Sequence, residues 1–251
     1  MKRTVVVAPH PDDEVLGCSS VLLGSEVAVI HVTDGVPPWI PAPEQEDLRA
    51  TRQAESARAW ESLSSEVEPV RLGFGDLTAW RLVEEVARGL LGVVGALQEG
   101  DVYLPAYQRG HPDHDATYLA GALARQRLAP GHLAWHVYGL YGFDRARRVR
   151  FGWLPPEAYG TADERSAEEL LRAKGHALRQ HGSQVWPDSA LDLWLQDPQS
   201  EQVAPLPEDW AGVPKRLTAA GFGWYYDEEL GFGDHGASAA AVEASFRPVL
   251  A

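Results

Sequence analysis

The chain has 251 residues, a formal net charge of −14 and a pI near 5.0. That balance argues against non-specific nucleic-acid binding, which needs a basic face, and no stretch approaches the roughly 20 apolar residues of a membrane span. A single cysteine, Cys18, rules out an intrachain disulfide and a cysteine-based zinc site.

The apolar share, 45%, is enough for a sizeable core. The basic start Met1-Lys2-Arg3 precedes an apolar run too short for a signal peptide. The expectation is a cytoplasmic protein acting on a small molecule, with no nucleic-acid or membrane partner; nothing in the sequence sets its oligomeric state.

Thr4–Ala8, short and β-branched, reads as a buried parallel strand. Asp13–Leu23 follows as a helix with acidic residues in its first turn. Glu26–Val32 is a second strand closed by Thr33-Asp34-Gly35, and Val36–Pro43 is a proline-rich loop. Glu44–Leu63 has helical spacing, Pro69–Leu72 is a short third strand, and Gly73-Phe74-Gly75-Asp76 is a turn. Ala79–Leu97 is a helix, Asp101–Leu104 a fourth strand, His114–Gln126 a helix, Leu133–Tyr138 a fifth strand and Ala162–Gln180 a helix. Alternating strands and helices predict a doubly wound, Rossmann-like α/β fold: a mainly parallel sheet with helices on both faces. Periodicity fades after residue 184, except near Ala237–Phe246. Residues 1–251 therefore read as one domain, an α/β core over 1–184 with an irregular covering segment over 185–251.

Two clusters carry the chemistry. Pro9-His10-Pro11-Asp12-Asp13-Glu14 follows the first strand, and His111-Pro112-Asp113-His114-Asp115 follows the fourth. In the common doubly wound order these strands are neighbours at the switch point, where ligands bind beyond the strand ends. His10, Asp13 and His114 would then form a two-imidazole, one-carboxylate metal site with open positions. Asp12 beside it suits a general base, and His111 could stabilise an oxyanion or protonate a leaving amine. Asp113 could fix a histidine tautomer, and Glu14 reads as a first-turn or supporting residue. Either cluster alone is also what an ordinary helix N-terminus looks like.

Asp34 is a turn residue that could also line the crevice. Arg109 could bind an anionic group or an oxyanion, or be a solvated loop residue. His31, His132, His136, His176 and His181 read as structural, and Cys18 as a buried helix residue. Trp186, Trp194, Trp210, Trp224, Tyr225 and Tyr226 read mostly as packing, with one or two at the pocket. Asp227-Glu228-Glu229 reads as a solvated face.

The two histidine motifs, with Leu16-Gly17-Cys18, resemble the signatures of the PIG-L/LmbE-like family of zinc-dependent deacetylases. Thr33-Asp34-Gly35, Arg52-Gln53-Ala54-Glu55, Leu72 to Asp76, and Lys174 with His181 to Gln184 extend the resemblance. It implies Zn2+ on His10, Asp13 and His114, Asp12 as base, His111 at the carbonyl oxygen or leaving nitrogen, and an N-acetylglucosamine-type substrate. It also places Arg52 and Asp76 against the sugar, beside plainer readings as a helical Arg52–Glu55 ion pair and a turn former. Ser19 and Ser20 stand where the family often has glycines, and Arg109 where some members have tyrosine. Two histidines and a carboxylate also make the triad of non-haem iron oxygenases; an inactive binding module is the third reading.

Overall fold

The computed structural model describes residues 3–129, 131, 133–222 and 238–250. His132, Trp224, Tyr225, Tyr226, Asp227-Glu228-Glu229 and Ala237 lie outside the described residues. In chain order the elements are β1 (Arg3–Ala8), α1 (Asp13–Leu22), β2 (Glu26–Thr33), α2 (Ala42–Ser62), β3 (Glu66–Phe74), α3 (Val83–Val94), β4 (Gly100–Pro105), α4 (Pro112–Arg127) and β5 (Leu133–Tyr138). There follow β6 (Tyr141–Phe143), β7 (Val149–Phe151), α5 (Pro156–Tyr159), β8 (Asp163–Arg165), α6 (Glu168–Leu178), α7 (Ala190–Gln196), β9 (Glu201–Pro205), α8 (Val213–Ala219) and α9 (Ala239–Leu250).

One sheet has the order β3-β2-β1-β4-β5-β9-β8. Its first five strands are parallel, and β9 and β8 continue it antiparallel. Its central strands are apolar on both faces because both are covered. Val5 and Val7 pack with α3 and α4 on one side, while Val6 and Ala8 pack with α1 and α2 on the other. β1 and β4 pair directly, Val6 opposite Tyr103, so the chain order reverses beside β1 as the doubly wound pattern expects. No helix among the described residues is long and apolar enough to cross a membrane.

Several elements depart from the sequence expectation for local reasons. β3 runs over Glu66–Phe74 rather than Pro69–Leu72. It is an edge strand, so Glu66 and Glu68 face solvent and Pro69 costs no ladder bond on the open side. The single helix expected over Ala79–Leu97 is a short 3-10 turn, Ala79–Arg81, then α3, broken where Leu82 leaves helical geometry. The helix expected over Ala162–Gln180 starts only at Glu168, because Asp163–Arg165 pairs with β9.

Strand β9, inside the stretch with weak periodicity, also closes a gap in α1. That helix is kinked at Cys18 (φ −138°, ψ 20°). The Glu201 carboxylate accepts from Ser19 N (3.0 Å) and Ser20 N (2.9 Å) there, and pairs with buried Lys174 Nζ at 3.2 Å. Gly17 lies against Tyr138: a Cβ there would stand 2.3 Å from the ring. The first motif needs its glycine for that approach of helix to sheet.

Candidate metal centre and active site

The site forms where β1 and β4 end. Pro9 O accepts both Thr33 N and Thr33 Oγ1 at 2.9 Å, tying the first loop to the end of β2. Asp12 then takes φ 147°, ψ −26° before α1 begins. A non-glycine residue in that region is strained, and such strain gathers at functional sites. The strained turn is held by its neighbours: Asp13 Oδ2 accepts His10 N at 2.9 Å, and Glu14 Oε2 accepts Asp12 N at 3.2 Å. Glu14 is itself buried against His31 Nε2 (3.2 Å) and Trp60 Nε1 (2.8 Å). His31 is therefore a buried partner of the site's foundation.

His10 Nδ1, Asp13 Oδ2 and His114 Nε2 converge. The three separations are 2.9 Å (His10–Asp13), 3.2 Å (His114–Asp13) and 3.3 Å (His114–His10). Ligand atoms around tetrahedral zinc, each at about 2.0–2.1 Å, lie about 3.3 Å apart. The donor set thus fits a divalent ion in number, kind and spacing. Asp76 Oδ1 lies 3.1 Å from His10 Nε2 and Asp113 Oδ2 3.7 Å from it. In the neutral ring that binding a metal requires, Asp76 accepts a hydrogen bond from Nε2–H and leaves the Nδ1 lone pair to face Asp13 and His114. Burial alone would discharge His10, but Asp76, Asp113 and Asp13 outweigh it and hold its pKa well above the usual value. Burial would likewise raise Asp13, and His114 and His10 reverse this and hold it well below the carboxylate range.

His111 caps α4, its Nδ1 accepting Asp113 N at 3.2 Å. That bond places the ring proton of the neutral form on Nε2. Its ring stands 4.6 Å from that of His10 and 4.8 Å from that of His114. Nitrogens of these three rings lie within 4.8 Å of one another. Burial, then the neighbouring imidazoles, push its pKa well below 6.5. Asp113 holds the turn before α3 by accepting Leu77 N (2.7 Å) and Trp80 N (3.2 Å).

Arg52, buried in α2, donates to Asp12 Oδ2 and Pro11 O at 3.0 Å each and to Gly35 O. Gly35 has φ +63°, and a Cβ there would meet the guanidinium at 2.2 Å. The Thr33-Asp34-Gly35 turn is therefore shaped by Arg52. Burial raises the Asp12 carboxyl to about 8, with Arg52 opposing it. The helical Arg52–Glu55 pair does not form, because Glu55 accepts from Ser183 N (2.7 Å) and Oγ (2.6 Å).

Two expected substrate contacts lie elsewhere. Asp34 accepts Val36 N (3.0 Å) and pairs with Arg49 (2.9 Å), outside the cavity lining. Arg109 is neither solvated nor in the cavity. Its guanidinium donates to Phe222 O (2.5 Å), Pro214 O (3.0 Å) and Thr218 Oγ1 (2.5 Å), fastening α8 to the loop after β4.

The cavity above the cluster encloses about 350 Å3. His10, Asp12, Asp13, Arg52, Asp76, His111 and His114 lie in its lining. Its walls include Trp39, Tyr141, Phe143, Phe151, Trp186 and Leu191. Among the tail tryptophans Trp186 lines it, while Trp194 and Trp210 are buried. Gln184 also lines it, whereas His181 is fully buried behind. Sequence reasoning missed Tyr141, Phe143 and Phe151, which sit on the β6–β7 hairpin with no signal beyond ordinary strand residues. Trp39 falls in the proline-rich loop Val36–Pro43.

Fold and site together define an α/β protein with a histidine–carboxylate metal-type centre at the switch point. Residues 5–124, which carry both histidine motifs, match the model of the family described as PIG-L: GlcNAc-PI de-N-acetylase. No curated protein matches the chain. Among solved structures, a deacetylase of the teicoplanin biosynthetic pathway superposes with TM-score 0.60 at 22% identity, covering 81% of this chain and 97% of that one. N,N'-diacetylchitobiose deacetylase from Pyrococcus horikoshii gives 0.55 at 21%, covering 92% and 80%. The 4-carboxy-2-hydroxymuconate hydratase GalB from Pseudomonas putida KT2440 gives 0.53 at 13%, covering 82% and 97%. These likenesses are of fold; a fold shared with a hydratase leaves the chemistry to be argued from the site.

Proposed function

We propose that the protein is a zinc-dependent amidohydrolase that removes an acetyl group from an N-acetylglucosamine-type sugar or conjugate. The observation that carries this is the convergence of His10 Nδ1, Asp13 Oδ2 and His114 Nε2 within 3.3 Å beside an arginine-held Asp12. A zinc ion held by those three atoms supplies Lewis acidity to an amide carbonyl and acidifies water. Asp12 takes the proton as water attacks the carbonyl carbon. His111, with Nδ1 occupied by Asp113 N, offers Nε2–H to the oxygen that gains charge. The C–N bond then breaks, and the proton held on Asp12 passes to the leaving nitrogen. Acetate and a free amine result, so atoms balance with one water consumed.

A non-haem iron oxygenase would use the same kinds of ligand, but its triad usually sits on a β-barrel, and it has no need of an arginine-clamped carboxylate beside the metal. An inactive binding module would be expected to have lost at least one of His10, Asp12, Asp13, His111 and His114; all are present. The test is acetate release from N-acetylglucosamine and its glycosides by zinc-loaded and chelator-treated protein. Zinc-dependent release is expected; none from a broad panel of such conjugates would overturn the reading.

A further inference from the structure

Arg109 stands two residues before His111, and its backbone takes φ +60°. Left-handed backbone is disfavoured for a residue with a Cβ, so the turn persists only if its surroundings hold it. On one side they do so through the backbone. Asp115 Oδ1 accepts Gln108 N at 2.9 Å and Arg109 N at 3.1 Å. Gln108 Oε1 accepts Leu140 N at 2.7 Å, and Gln108 Nε2 donates to Trp153 O at 2.6 Å. Gly110 passes so close to Tyr141 O that a Cβ would stand 2.2 Å from it. The Arg109 side chain reaches the other way, to acceptors 105 to 113 residues later in the chain: Pro214 O, Thr218 Oγ1 and Phe222 O.

Those acceptors form a fixed platform. Thr218 Oγ1 donates to Pro214 O at 3.1 Å, which turns its lone pairs toward Arg109. Phe222 N donates to Leu217 O at 3.0 Å. Val213, Leu217 and Phe222 are buried in the same apolar cluster as Tyr107 and Tyr118. The planar guanidinium meets this platform with Nη1 on Phe222 O and Nη2 on Pro214 O and Thr218 Oγ1, so two nitrogens set its direction. Two residues on, His111 caps α4 with Nδ1 on Asp113 N. A shift of the Arg109 backbone would therefore swing the His111 ring. Misplacing a reacting group by about 1 Å costs about 10²-fold in rate.

We propose that Arg109 is a positioning residue: its bonds to α8 and to Phe222 O fix the loop that aims His111, which makes α8 necessary for turnover although it lines no part of the cavity. This rests on the deacetylase reading for the role of His111, but one arm of its test reads the ring itself.

Both arms use the zinc-loaded full chain. In the first, Arg109→Gln should lower kcat for acetate release by about 10²-fold with KM little changed, the signature of an interaction that acts on the transition state. In a His111→Ala background the same substitution should cost less than about threefold more, because the two residues act as one unit. The full loss repeated in that background overturns the proposal. Thr218→Val removes one acceptor and leaves the loop sequence intact. It should lower kcat in the same direction by a smaller factor, which keeps the test open if Arg109→Gln folds poorly. Full activity in both folded variants also overturns the proposal.

The second arm is the two-bond proton–nitrogen NMR spectrum of the His111 ring. The wild-type protein should give one neutral pattern with the proton on Nε2, as the Asp113 N bond requires. Both variants should split or broaden it, whereas a packing role alone would lower thermal stability and leave it sharp. An unchanged His111 pattern in Arg109→Gln overturns the proposal whatever the rates. An altered pattern, with no acetate release by the wild-type protein, would support the positioning role and overturn only the deacetylase reading.

Discussion

Arg52 Nη2 meets Asp12 Oδ2 at 3.0 Å, and both side chains are buried. A guanidinium so placed both orients a carboxylate and favours its charged form. Arg52→Gln should therefore move the acidic limb of kcat/KM to higher pH, by about one unit or more, and lower kcat. A role in packing alone would lower stability but leave the limb in place. The pH–rate profile decides.

Asp12 lies between two ligand candidates but outside the converging trio. Asp12→Asn should keep zinc stoichiometry near that of the wild type while turnover falls by about 10²–10⁴-fold, the usual contribution of a positioned base. Metal analysis with acetate release tests both halves. Near-normal rates would remove Asp12 from the role of base.

Asp76 acts on the metal site through His10 Nε2. Asp76→Ala should weaken zinc affinity by about 10–100-fold, as loss of a ligand's supporting carboxylate does. A chromophoric chelator competition measures this directly. Zinc affinity unchanged in Asp76→Ala would leave Asp76 as a turn former only, through its bond to Leu77 N at 2.8 Å.

Zinc at about 100 times its Kd should stabilise the native state by about 2.7 kcal/mol. For a chain of this size that raises Tm by roughly 5–10 °C. The rise should vanish in His114→Ala, read by thermal unfolding with and without the metal.

Asp115 predicts a pH dependence apart from catalysis. Its Oδ1 accepts Gln108 N (2.9 Å) and Arg109 N (3.1 Å). Burial nevertheless raises its pKa from 3.8 to about 7. Between those values the folded state holds more protons than the unfolded, so this residue's contribution to stability falls as pH rises through that window. The loss is complete above about pH 7 and amounts to a few kcal/mol. Asp115→Asn should be the more stable protein at pH 8, and that advantage should shrink toward pH 4. Denaturant unfolding at both pH values measures the difference; a pH-independent gap would refute it.

The parallel core and the two histidine loops were legible because each rests on local pattern. Val5, Val6 and Val7 announce a strand buried on both faces, and His10 to Asp13 interrupt it at once. Glu66 and Glu68 hid the start of β3, since an edge strand is not required to be apolar. Strand β9 was illegible because Glu201 makes sense only opposite the kink at Cys18, some 180 residues earlier in the chain. Arg52 and Arg109 differ for the same reason. One guanidinium reaches Asp12 and the other the carbonyl of Phe222, and no spacing within either segment distinguishes those targets.

The pairing of β1 with β4 also orders events during folding. Between His10 and His114 the chain must complete β2, β3 and the helices that cross between them. Closing that loop costs entropy before any donor meets its partner. A nascent chain that has made only β1 and α1 offers His10 and Asp13 without His114. Metal capture would thereby be coupled to the pairing of β1 with β4, and the ion would act as a fastener of that pairing rather than a template for collapse.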